Sequence, residues 1–92
     1  MPAEEPDTIR MTVPSNPDLA PVVQVATAVL ARRADLSDEQ VAAARAAVAT
    51  AFTELAGGAG AGPAVDVELR VDATTLSVRL VCGRAERSVR AP

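Results

Sequence analysis

The fold is decided by the stretch Val65-Asp66-Val67-Glu68-Leu69-Arg70-Val71-Asp72-Ala73-Thr74-Thr75-Leu76-Ser77-Val78-Arg79-Leu80-Val81-Cys82. Val65, Val67, Leu69 and Val71 alternate with Asp66, Glu68, Arg70 and Asp72. After a short polar turn, Leu76, Val78, Leu80 and Cys82 alternate with Ser77, Arg79 and Val81. A period of two over both segments, broken at Asp72-Ala73-Thr74-Thr75, predicts two antiparallel strands joined as a hairpin, each with one buried face. Asp66, Glu68 and Asp72 then line the solvent side, with Arg79 as their cross-strand partner. Gly83 ends the second strand.

Working back from the hairpin, Gly57 to Pro63 is a Gly/Ala loop, and Gly57-Gly58 is expected to stop a helix. That helix starts at Ser37-Asp38-Glu39-Gln40, a capping box in which Ser37 and Gln40 satisfy each other's free backbone N–H groups. Leu36 and Val41 flank the cap as a hydrophobic staple. Val41, Ala44, Val48, Ala51, Phe52 and Leu55 form the predicted core face. A first helix precedes it, with Asp18 as predicted N-cap and an apolar face of Leu19, Val22, Val23, Ala26, Val29, Leu30 and the stem of Arg33. Arg32 and Arg33 complement the dipole of its last turn. Further back, Ile9, Met11 and Val13 alternate with Thr8, Arg10 and Thr12, which predicts a half-buried strand ended by Pro14-Ser15-Asn16-Pro17.

The order is β-α-α-β-β. The fold class expected is α+β: a three-stranded, mostly antiparallel sheet with two helices on one face. Residues 1–7, rich in Pro and acid, are expected to be disordered, residues 8–83 to form a single domain, and residues 84–92 to be a basic C-terminal tail.

Composition narrows the function classes. The chain has 92 residues, of which 49% are hydrophobic, yet Phe52 is its one aromatic residue. Its core must therefore be built from Val, Leu, Ala, Ile and Met, which bury less area per side chain than aromatics. A thin core in so short a chain points to stabilisation by self-association. The net charge of −3 argues against nucleic acid as a partner. No apolar run approaches the length of a membrane span, and one cysteine allows no internal disulfide, so a cytoplasmic protein is expected. All nine basic residues are Arg, and Ala is abundant, the bias of a high-GC, actinobacterial genome.

Catalytic chemistry finds little support. There is no histidine, the commonest general base and metal ligand. Cys82 sits at an inward strand position with no His to activate it, which predicts an inert core thiol. The glycines at 57–62 follow a helix and lead into a strand, the wrong polarity for a phosphate-cradling loop. No catalytic, cofactor-binding or metal-binding residue is assigned, and no cofactor is expected.

One resemblance goes beyond fold class. Thr12-Val13-Pro14-Ser15-Asn16-Pro17, the helix end from Leu30 to Glu39, and Arg45 to Leu55 resemble, in order and spacing, the first half of bacterial anti-sigma regulatory kinases. These are histidine-kinase-like ATPases of the GHKL (Bergerat) fold, and the resemblance extends from Ile9 to Gly83. It implies that the first strand shares a sheet with the hairpin and that both helices cover one face. In that family the second helix carries a catalytic Glu and, four residues later, a magnesium-binding Asn; Thr50 and Glu54 stand at these positions here. Cys82-Gly83-Arg84 occupies the region where an adenine-reading Asp would lie. The resemblance therefore implies a degenerate, truncated, non-catalytic regulatory module acting by homodimerisation and by binding a protein partner, a sigma factor or an antagonist. Ile9, Met11, Val13, Gln24 and Arg32 are the expected partner or dimer contacts, with strand addition at a sheet edge as the expected assembly. A scaffold or accessory subunit unrelated to sigma regulation, and a residual nucleotide binder, remain as alternatives.

Overall fold

The computed structural model describes residues 7–59 and 62–91. It is an α+β domain with four strands: β1 (Asp7–Val13), β2 (Val65–Asp72), β3 (Thr75–Cys82) and β4 (Ala85–Ala91). Between β1 and β2 lie a 3-10 turn (Pro17–Leu19), α1 (Ala20–Arg33) and α2 (Asp38–Ala59). The sheet order is β1-β2-β3-β4, and every neighbouring pair is antiparallel.

The β2–β3 hairpin is the centre of the sheet, as its alternation predicts. In register, Val67 faces Leu80 and Leu69 faces Val78, and all four are buried beneath the helices. Ala73 opens the two-residue turn with φ 59°. α1 lies over β2, while α2 runs over β3 and β4. Phe52, fully buried, is the largest core side chain, with Val23, Val48, Val65, Leu69, Leu76 and Leu80 also at zero exposure. The core face predicted for α2, from Val41 to Leu55, is buried throughout.

The capping box closes as its spacing demands. Ser37 N–H donates to Gln40 Oε1 at 2.8 Å, and Gln40 N–H donates to Ser37 Oγ at 3.1 Å. Immediately before it, α1 ends in a Schellman motif, which the sequence reading did not identify. Leu36 N–H reaches Ala31 O at 3.1 Å and Asp35 N–H reaches Arg32 O at 3.0 Å, with Asp35 left-handed at φ 62°. Both helices are thus pinned at the corner that joins them.

Several sequence expectations need correction. The sheet has four strands, because the segment read as a basic tail forms β4 on the far side of β3. Gly83, at φ +59°, supplies the tight turn that reverses the chain. β4 lacks an apolar alternation because it is an edge: of its inward positions Ala85, Arg87, Val89 and Ala91, only Ala91 is buried and Val89 half-buried. Charged side chains on an edge strand are the usual guard against unwanted pairing. Of the segment 1–7, residues 1–6 lie outside the described residues; Asp7 opens β1, opposite Val71, and pairs with Arg33. Asp18 does not cap α1. Asn16 caps the 3-10 turn instead, its Oδ1 accepting from Asp18 N–H at 2.9 Å. Gly57-Gly58 does not stop α2, which continues to Ala59; glycine permits a helix end without imposing one.

The face of α1 is also turned from the expected one. Its buried residues are Ala20, Val23, Thr27, Ala28, Leu30 and Ala31, while Val22, Val25 and Val29 are 49%, 61% and 50% exposed. Small residues take up half of this buried face, at Ala20, Ala28 and Ala31, and α1 packs along α2. Thr27 is tolerated in the core because its hydroxyl donates to Val23 O at 2.8 Å. The expected face counted valines and passed over the small residues that close helix packing selects.

Two outcomes follow. Truncation after Gly83 removes β4 and uncovers the edge of β3; we expect a loss of about 3 kcal/mol or more in chemical denaturation, whereas a solvated tail would leave stability unchanged. Asp35→Gly relieves a left-handed non-glycine residue and removes an acid from the negative end of α1. It is expected to stabilise by about 0.5–1 kcal/mol in the same measurement.

Candidate interaction surface

The three positions that the family resemblance singles out do not converge. Thr50 and Glu54 are one turn apart on α2 and both exposed. Glu54 Oε1 lies 3.5 Å from Arg87 Nε of β4. Cys82 is buried, and its Sγ donates to Pro63 O at 3.3 Å, with Ser15 Oγ 3.8 Å away. Ser15 in turn donates its hydroxyl to Pro63 O. Glu54 and Cys82 both line a shallow depression together with Leu55, Arg84 and Arg87, but Thr50 does not. The thiol is held in a structural contact to the loop that enters β2, and the carboxylate is spent on a β4 guanidinium. Among the described residues, no three Cys, Asp or Glu side chains gather into a metal site.

The sheet face away from the helices is polar and internally paired. Arg10 Nε meets Glu68 Oε2 at 2.8 Å, and Thr12 Oγ1 donates to Asp66 Oδ1 at 2.9 Å. Arg79 lies directly opposite Glu68 in register, yet its guanidinium turns to β4 and binds Glu86 through Nε at 2.9 Å and Nη2 at 3.3 Å. The expected partnership of Arg79 with the β2 acids is thus displaced by an acid on β4, the strand whose composition resembles a solvated tail. The hydrogen bond from Arg79, reinforced by its charge, holds the Glu86 carboxyl below the ordinary Glu value. The same contact raises Arg79, and the hydrogen bond and charge of Asp7 raise Arg33. These pairs are exposed, so each adds little to stability.

The helix layer is different. Val22, Val25 and Val29 recur at spacings of three and four, so they form one line along the outer side of α1. Arg32, exposed, lies one turn beyond Val29, and Asp18, also exposed, one turn before Val22. Ala26 of α1 and the β1 residues Ile9 and Met11 are half-buried against the core. Of the contact residues expected from the sequence, Arg32 stands at the end of this line, and Ile9 and Met11 sit at the uncovered border of the sheet. Val13 is buried at 4% exposure. Gln24 turns toward α2, its Nε2 donating to Arg45 O at 3.3 Å. Val22 and Val29 belong to the face expected from the sequence to be buried, whereas Val25 lies outside that expected face. Among the described residues, no helix is long and apolar enough to cross a membrane.

The Arg79–Glu86 contact generates a pH prediction. Because the folded carboxyl titrates below its unfolded value, its contribution is present above that value and lost as pH falls through the folded one. Arg79→Gln is expected to return Glu86 to the ordinary carboxylate range in an NMR titration of side-chain carboxyls; an unmoved midpoint would contradict the pairing. No protein-family model and no curated protein matches the chain.

Proposed function

We propose that this chain is a non-catalytic, cytoplasmic regulatory module that works by protein binding. It resembles an anti-sigma factor that has lost ATP binding, and it acts through homodimerisation and capture of a protein partner, a sigma factor or an antagonist. The observation that carries this reading is the line of exposed valines on α1, an apolar surface that the described residues leave uncovered. Further support comes from the arrangement that the resemblance requires: β1 lies in one sheet with the hairpin, and both helices cover the same face.

The chemistry at the family positions favours binding over turnover. Phosphoryl transfer needs a base, a metal and positioned phosphates. Thr50 offers no carboxylate, Glu54 is engaged by Arg87, and Cys82 is held against Pro63 O. Isothermal titration with ATP and magnesium is expected to give no binding heat at millimolar nucleotide. Saturable binding would replace this reading with that of a residual nucleotide binder. Light scattering across a concentration series is expected to show a dimer; a strict monomer would remove homodimerisation from the proposal.

A further inference from the structure

We propose that the outer side of α1 is a self-complementary seam on which a second copy of this chain docks antiparallel, with a two-fold axis beside Val25. The proposal deepens the self-association read above and rests on it.

The seam positions are Asp18, in the 3-10 turn that leads into α1, and Val22, Val25, Val29 and Arg32 on α1 itself, the last four spaced three, four and three residues apart. That alternation is the one by which two helices keep a single apolar line in contact. Between Asp18 and Arg32 there is no charged residue at all, from Leu19 to Ala31. A solvated helix face over that length, about 20 Å, ordinarily carries charges. On α2, by contrast, the exposed positions include Asp38, Glu39, Arg45 and Glu54. The charge-free outer face of α1 is the arrangement of a contact surface.

The order of the residues selects the occupant. Asp18 and Arg32 are equidistant from Val25 in sequence, and Val22 and Val29 flank it at three and four residues. When a second α1 is laid antiparallel across a two-fold axis at Val25, Val25 meets its own copy, and Val22 comes level with the copy's Ala28, one residue or about 1.5 Å from the copy's Val29. Asp18 then meets the copy's Arg32, and the same pair forms again at the other end. Each residue finds its complement through one symmetry operation, as an isologous interface requires. Parallel alignment instead sets Asp18 against Asp18 and Arg32 against Arg32. Neither Asp18 nor Arg32 has an ion-pair partner among the described residues of its own chain, whereas the neighbouring Arg33 is already held by Asp7. Pairing through the β1 edge is less favourable: an antiparallel β1 pair centred on Arg10 brings two arginines together, each already bound to Glu68.

Sedimentation equilibrium on the full chain tests the seam. Val25→Glu puts a carboxylate beside its own copy in an apolar contact, and is expected to raise the dimer dissociation constant at least tenfold. Val25 is 61% exposed, so the fold should persist, which circular dichroism checks. Arg32→Asp is expected to weaken the dimer by roughly threefold to tenfold, by turning two attractive pairs into repulsive ones. Adding Asp18→Arg to it is expected to restore affinity toward wild type, a rescue that a merely structural effect does not give. A wild-type dimer that is indifferent to Val25→Glu, or a charge swap without rescue, overturns the seam and leaves self-association standing through another surface. A wild-type chain that remains monomeric at millimolar concentration overturns both.

Discussion

Everything in this domain is built on the inward face of the β2–β3 hairpin. Val65, Val67, Leu69 and Val71 on one strand and Leu76, Val78, Leu80 and Cys82 on the other form an unbroken aliphatic floor. With a single aromatic residue available, that floor must be covered by side chains that approach closely, and alanine does so at Ala28, Ala31, Ala44 and Ala51. α1 packs against both α2 and β2, and the side of it that meets them carries Ala20, Val23, Thr27, Ala28, Leu30 and Ala31, which leaves Val22, Val25 and Val29 outside.

Legibility in the sequence follows the same physics. β2 and β3 were readable because a sheet covered on one face forces strict alternation. The capping box at Ser37 and Gln40 was readable because its hydrogen bonds are local and need only a spacing of three. β4 was not readable, since an edge strand buries little, and Ala85-Glu86-Arg87-Ser88-Val89-Arg90-Ala91 carries the composition of a solvated tail. The left-handed turn at Asp35 was missed because the sequence lacks the glycine that usually marks it. The face of α1 was misassigned because helical periodicity cannot separate a valine against the sheet from one against solvent when both occur within one turn.

The residues proposed as contacts fared unevenly for related reasons. Arg32 was chosen as an exposed cation at the end of α1, and the structure leaves it there. Gln24 looked equally exposed, but it sits on the side of α1 that meets α2 and reaches Arg45 O. Val13 is buried at the end of β1, while Ile9 and Met11 on the same side of the strand are only half-buried. Thr50, Glu54 and Cys82 keep ordinary structural surroundings. The exposed valines of α1 are the feature on which the proposal of a surface-acting domain stands.

That claim is tested most directly by following valine and leucine methyl resonances of the wild-type chain on dilution. The account predicts concentration-dependent shifts at Val22, Val25 and Val29, with smaller ones at neighbouring Ile9 and Met11 if those methyls are also labelled. The hairpin methyls of Val67, Val78 and Leu80 should remain still. Shifts confined to β1 or β4, or none at any accessible concentration, would contradict it.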